Sequence, residues 1–426
     1  MRFCSRAGAL VAAALFCATA LLGGCAVDET GEPPPSDALY FPVGVAAHPD
    51  GRYLYIVNGV FDRKYNEGTL TVLDTYERRL LTGATQRIGL FGGELLVARR
   101  SGESAVEAFT VTRDDNRLFS FEVTADAATP DGTGHFGCGG RRCGVPYDTF
   151  GGDGFSGDPY GLAFDGVNLL ISHLERGVVS RWERGGGVGS LVFGCAVNLT
   201  NGASSLARHP VLGWAYVTDR FGQQIQVVEP VALVEQALSG AVNRDSCRFQ
   251  GQSGITVDPF TNRGRTRGLG FSADGTLLYV ASNTDSSLRI YDTSVDSNGR
   301  PRNDLVAAVP VGNAPNVVRV AGLRGGEVRV PDGLDRGLVG DAVDTKGQGL
   351  VYLTAFDDDR VMVVDPTTRT VIARIDVGMA PHDIAFMPDV DGNLRGFVSN
   401  FQEHSVSVID LEPGSPRRFQ VLATVP

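Results

Sequence analysis

The sequence predicts an all-β fold, a seven-bladed β-propeller with four antiparallel strands in each blade. Three observations lead there. First, one hairpin recurs at one spacing. In YVTDRFGQQIQVVEP an aromatic residue, Tyr216, opens a β-branched run, a polar loop follows, and a second run closes on Glu229, thirteen residues on. The same step of thirteen joins Tyr279 to Asp292, Tyr352 to Asp365, Phe397 to Asp410, Leu170 to Glu183 and Phe109 to Glu122. A further copy, Tyr55 to Asp74, is stretched to nineteen by FDRKYN. Self-similarity of this kind marks a repeat architecture. Second, each hairpin is flanked by further strand-like runs. Before it stands an apolar run ending in a turn, as in VGVAAHPDG, YGLAFDG, SSLARHP, GLGFSADG and HDIAFMPDVDG; after it comes an alternating run such as TVIARIDVG or LVAAVPVG. The Asp-Gly pairs supply a left-handed turn position at low steric cost. Third, no segment carries a long 3.6-residue apolar period, and 55 glycines suit tight turns better than long helices. Seven such four-stranded units stacked radially leave only short protected edges, whereas an open sandwich would expose many.

In chain order, the first element lies outside the fold. Arg2 and Arg6 form a positive n-region, Ala7 to Leu22 is an apolar stretch, and LLGGC follows. The apolar stretch is short of the ~20 residues a membrane span needs. Its end resembles a bacterial lipobox. The resemblance implies cleavage before Cys25, a diacylglycerol on the Cys25 thiol, and export; Ala26, not being aspartate, favours the outer membrane. Residues 1–24 therefore read as a signal peptide, and 25–38, with Pro33, Pro34 and Pro35, as a flexible tether. A single propeller spans 39–426, with blades at about 40–90, 91–150, 151–200, 201–262, 263–312, 313–378 and 379–426. The second blade is the least regular and ends in the Gly-rich segment Thr124 to Asp158. The sixth carries AGLRGGEVRVPDGLDRGLVGD before its second strand. Both insertions are expected to project as loops.

The formal charge of −11 argues against nucleic acid as a partner, because an acidic chain repels phosphate backbones. Export sets an oxidising context for the four cysteines beyond Cys25. Four allow three pairings. Cys138 and Cys143 flank the Gly-rich CGGRRC, which suits a local bridge and leaves Cys195 with Cys247. No CxxC or histidine has metal-ligand spacing, and no CxxCH announces a covalent haem, so no cofactor is expected. Calcium would suit Asp357-Asp358-Asp359, or Asp148, Asp153 and Asp158 among their glycines, although neither run fits an EF-hand. The plainer reading of both is a solvated acidic turn.

The tetrads YVTD at Tyr216, FVSN at Phe397 and YIVN at Tyr55 resemble the YVTN repeat of surface-layer-type β-propellers. VGNAP before Asn316 and VGMAP before His382 match that family's blade junction. A WD-repeat reading is weaker, since Trp182 and Trp214 are the only tryptophans and lack the expected aspartate. The resemblance implies a monomeric propeller that acts as a binding or scaffolding module for an envelope or extracellular protein or glycan, touching the membrane through its lipid anchor alone. Propellers of similar repeat type also include lactonases and amine-dehydrogenase heavy subunits. The dehydrogenase version needs a partner subunit carrying the redox cofactor. The lactonase version needs His, Glu or Arg converging at one mouth of the channel. No GxSxG, HExxH or phosphate-binding GxxxxGK[ST] is present.

A propeller binds on its axis. The blade junctions place Tyr160, Asn316 and His382 in matching positions, and the ends of second strands place Asn58, His173, Asp219 and Asn400 in another matching set. Two readings stand side by side. These residues line a polar funnel that holds a ligand, or they close turns through local hydrogen bonds. If His382 and His173 share the funnel with Tyr160, imidazole titration should change binding between pH 5 and 8.

Overall fold

The computed structural model describes residues 31–99, 105–125, 128–137, 145–148, 157–164, 168–184, 191–199, 202–222, 224–230, 249–256, 265–321 and 349–426. Seven antiparallel sheets follow one another along the chain: Pro42 to Ile88, Gly92 to Asp148, Pro159 to Asn198, Ala203 to Thr256, Thr266 to Pro310, Pro315 to Asp376 and Pro381 to Val425. Each is a blade of four strands taken in sequence order. In the first blade alone the outermost strand is broken, into Arg79–Leu80 and Gln86–Ile88, around a 3-10 turn at Thr82–Ala84. Cys25, the Cys138–Cys143 loop, Cys247, Asp153 and nearly all of the sixth-blade insertion lie outside the described residues.

The repeated large apolar residue that opens each hairpin, aromatic in all but the third, explains why the blades stack. Tyr55, Phe109, Leu170, Tyr216, Tyr279, Tyr352 and Phe397 are all buried, and each falls in a different one of seven hydrophobic clusters. Every cluster draws residues from two neighbouring blades, so each marks one inter-blade interface. A buried aromatic brings 150–250 Å² of apolar area to such a contact. The acids that end third strands act locally. Asp74, Asp292, Asp365 and Asp410 accept backbone N–H groups two residues on, from Tyr76, Ser294, Thr367 and Glu412, at 2.8–3.1 Å. These Asx turns stop the strand and start the next reversal.

The ring closes without a shared strand. All four strands of the last blade come from Pro381 onward, and the first blade is built entirely from Pro42 to Ile88. Their seam is held by packing of Leu39, Val45, Ile56 and Leu73 against Ala385, Met387, Phe397 and Val406. Polar links cross it as well: His382 Nδ1 lies 2.8 Å from the Val43 carbonyl, Val45 N–H donates to Asp383 at 3.4 Å, and Ser399 Oγ donates to the Val43 carbonyl at 3.4 Å.

Candidate functional site

All seven innermost strands start with the same irregularity. Register shifts fall between Pro42 and Gly44, Gly92 and Leu95, Pro159 and Leu162, Ala203 and Leu206, Thr266 and Leu269, Pro315 and Val318, and Pro381 and Ile384. A bulge re-aims side chains out of the alternating ladder, and bulges gather beside binding sites. Phe41, Phe91, Asp158, Ala314 and Ala380, each one residue ahead of its strand, have φ of 47–62°, a conformation non-glycine residues seldom adopt. Space at the axis is tight enough to need glycine. A Cβ on Gly161 or Gly268 would lie 2.5 Å from the Ser204 or Asn316 carbonyl oxygen of the next blade.

The re-aimed residues floor an axial cavity of about 420 Å³: Val43, Glu94, Tyr160, Ser205, Arg267, Asn316, His382 and Asp383 are all from this position. A second tier comes from the residue directly after each second strand. Arg113, Arg220, Asn283, Phe356 and Phe401 stand there, and Phe61 joins them from the first hairpin.

The two tiers divide the ring into unlike arcs. On the side of the second to fifth blades, Arg113 forks onto Asp158, with Nη2 to Oδ2 at 3.0 Å, and lies 5.4 Å from the Tyr160 ring centre. Arg220 flanks the same ring at 5.7 Å. Arg267 has no hydrogen-bond or carboxylate partner among the described residues. Burial, and then the neighbouring Arg220, push its pKa down to about 10. On the side of the sixth, seventh and first blades the wall is aromatic. The Phe401 ring centre lies 5.1 Å from Phe61, 5.9 Å from Phe356 and 6.1 Å from His382.

Carboxylates complete the floor. Glu94 accepts from Leu162 N–H at 3.0 Å and from the Ser205 hydroxyl at 3.2 Å, so one side chain ties the second blade to the third and fourth. Asp383 is paired with Arg319 at 2.9 Å; both are buried, and burial raises the Asp383 pKa. Because a carbonyl oxygen only accepts, His382 Nδ1 carries the proton donated to Val43. Burial pushes the His382 pKa down to about 4, so the ring is neutral near pH 7 and its Nε2 is an acceptor.

Of the residues singled out from sequence, Tyr160, Asn316 and His382 line this cavity. The other four face their own blades. Asn58 donates to Thr69 and Thr71, and Asn400 to Ser405 and Ser407, all at 2.9 Å. Asp219 accepts from Phe221 and Gly222 N–H, and His173 is buried against Ser180 Oγ at 2.8 Å. The imidazole switch expected between pH 5 and 8 therefore loses both members: His173 is away from the cavity, and desolvation holds His382 neutral across that range. The sequence reading missed Glu94, Arg113, Arg220 and Arg267. The signal was there, one residue beyond the second strand for Arg113 and Arg220, and one or two beyond the first strand residue for Arg267 and Glu94.

Among the described residues no group of three His, Cys, Asp or Glu side chains could hold a metal ion. In the acidic runs, Asp158 is engaged by Arg113, Asp358 accepts from Asn313 at 2.8 Å, and Asp359 accepts from Ala380 N–H at 2.8 Å. Cys195 is buried on the strand Leu191–Asn198; its expected partner Cys247 lies outside the described residues.

No protein-family model matches the sequence, and no curated protein is detectably similar to it. Solved structures are similar in fold. A Bacteroides uniformis protein provisionally described as a 6-phosphogluconolactonase superposes with TM-score 0.56 at 16% identity, covering 83% of this chain and 88% of its own. Kuenenia stuttgartiensis hydrazine synthase gives 0.53 at 14% identity, over 87% of this chain and 96% of that one. The periplasmic gluconolactonase of Pseudomonas aeruginosa gives 0.50 at 16% identity, over 90% and 85%. At such identities the likeness establishes the propeller fold and nothing finer.

Proposed function

We propose that this protein is an envelope-tethered propeller, hung from a lipid on Cys25, whose axial cavity captures a small organic anion. The observation that carries the reading is Arg267, a guanidinium with no carboxylate partner among the described residues, beside Arg220 in a partly desolvated cavity. A cation in that setting is stabilised by whatever anion enters, since Coulomb attraction grows as water is excluded. A cavity of about 420 Å³ falls in the size range of small-molecule sites. Thermal denaturation of the mature protein with a panel of carboxylates and phosphate, at low and high salt, tests it. Saturable, salt-sensitive stabilisation that disappears in Arg267→Gln is expected. Equal stabilisation of both proteins would overturn the reading.

A second reading is lactone hydrolysis, favoured by Glu94 and His382 standing in the same cavity as the arginines. The lactonase names carried by two of the fold neighbours are compatible with it. Glu94 would take a proton from the water as it attacks the carbonyl carbon and return it to the ring oxygen as the acyl–oxygen bond breaks, while the arginines would hold the carboxylate that forms. His382, with its pKa lowered to about 4, is a weak base and serves better as an acceptor for a ligand hydroxyl. Proton release from a sugar lactone, followed in a pH-stat with wild type and Glu94→Gln, separates capture from turnover.

A further inference from the structure

The cavity is bipolar, and its two arcs say more about the ligand than its charge does. The cationic residues Arg113, Arg220 and Arg267 belong to the second, fourth and fifth blades, whereas Phe356, Phe401 and Phe61 belong to the sixth, seventh and first. The two sets do not interleave around the ring. The three phenylalanines are only partly buried, and they meet at the cavity edge with ring centres 5.1–5.9 Å apart. The His382 ring, neutral and 33° from the plane of Phe401, extends the same wall downward. Partly exposed rings on one side of a cavity offer flat apolar area and a π face, which favour a planar ring over a hydroxylated chain. Carboxylates stand in both arcs: Glu94 is engaged by Leu162 and Ser205, Asp383 by Arg319, and Asp357 lines the cavity next to Phe356.

We infer that the preferred ligand is an aromatic carboxylic acid, lying with its carboxylate on Arg220 and Arg267 beside Tyr160 and its ring against Phe356 and Phe401. This rests on the anion reading above and goes beyond it by naming the body the anion is attached to. His382 Nε2, with no protein partner among the described residues, would accept a hydrogen bond from a ring hydroxyl.

Isothermal titration of the mature protein tests both levels separately, with benzoate, 4-hydroxybenzoate, gluconate and inorganic phosphate as the probes. The expected order is 4-hydroxybenzoate and benzoate at least tenfold tighter than gluconate and phosphate. Phe401→Leu and Phe356→Leu, which keep apolar volume but remove the π face, should each weaken the aromatic acids about threefold to tenfold. Neither should change gluconate or phosphate binding. Arg267→Gln should weaken all four. If gluconate binds as tightly as benzoate, or if both leucine variants leave benzoate affinity unchanged, the aromatic assignment is wrong and the anion site stands. If no probe binds, or Arg267→Gln binds all of them as wild type does, the anion site itself falls.

Discussion

Replacing Arg267 with glutamine should make the empty protein more stable while removing its capacity to bind anions. Arginine is disfavoured here in its charged form. Its pKa falls from 12.5 to about 10, with burial the larger cause and Arg220 the next. A shift of that size corresponds to about 3 kcal/mol at 1.36 kcal/mol per unit. Water in the open cavity screens part of it, leaving on the order of 1–2 kcal/mol. The sign follows from linkage: a base whose folded pKa is depressed destabilises the fold at every pH below that pKa, and the penalty fades only as pH rises from about 10 toward 12.5. At pH 7 the penalty is complete, so a shorter, neutral amide removes it. Urea denaturation at pH 7 should show a higher midpoint for Arg267→Gln than for wild type. Adding the ligand anion should raise the wild-type midpoint and leave the variant's in place. A variant less stable than wild type by 1 kcal/mol or more, and still stabilised by anions, would refute the reasoning.

Other outcomes follow from the same structure. His135 is fully buried with its Nε2 3.0 Å from the Tyr55 hydroxyl, and burial, then His48, lower its pKa to about 4. With an unfolded value of 6.5, stability should hold above pH 6.5 and fall as pH drops toward 4, by on the order of 3 kcal/mol from this group; in His135→Gln, urea midpoints measured across that window should show a flatter slope. Gly268→Ala places a Cβ 2.5 Å from the Asn316 carbonyl and 2.7 Å from Val318 N, so unfolding titrations should register a loss of about 1–3 kcal/mol. Peptide mapping without reductant should recover Cys195 linked to Cys247 and Cys138 linked to Cys143; four alkylatable thiols would contradict both the pairing and the oxidising compartment. Mass spectrometry of the mature N-terminus should find a lipid-modified Cys25, and an unmodified terminus elsewhere would remove the anchor.

The blades were legible because seven copies of one hairpin repeat a large apolar residue that must be buried, aromatic in all but the third, and burial at each interface enforces the pattern. The cavity was legible only in part, for a geometric reason. In a strand, consecutive side chains face opposite sides. The last tetrad residue is still inside the hairpin ladder: Asn58 pairs with Thr69, and Asn400 with Ser405. The next residue has left the ladder and faces the axis, which puts Arg113, Arg220, Phe356 and Phe401 one step past the positions that looked functional. On the floor, Asn316 and His382 were found through VGNAP and VGMAP. Glu94 and Arg267 follow FGG and RT, which share no motif with those junctions, although the backbone makes the same bulge at all of them.

A ring in which no blade borrows a strand has a topological freedom that interlocked rings lack. Cutting the chain between any two blades, and joining the last strand to the first, would leave every sheet whole, so circularly permuted versions should fold to the same disc. Blades are likewise separable units of inheritance, since duplicating or deleting one disturbs no pairing within the others. The joint between the last and first blades is then the hinge by which such a disc would spring open. His382 stands on one side of it and Val43 on the other, both facing the cavity. A guest that touches both would act as the rivet.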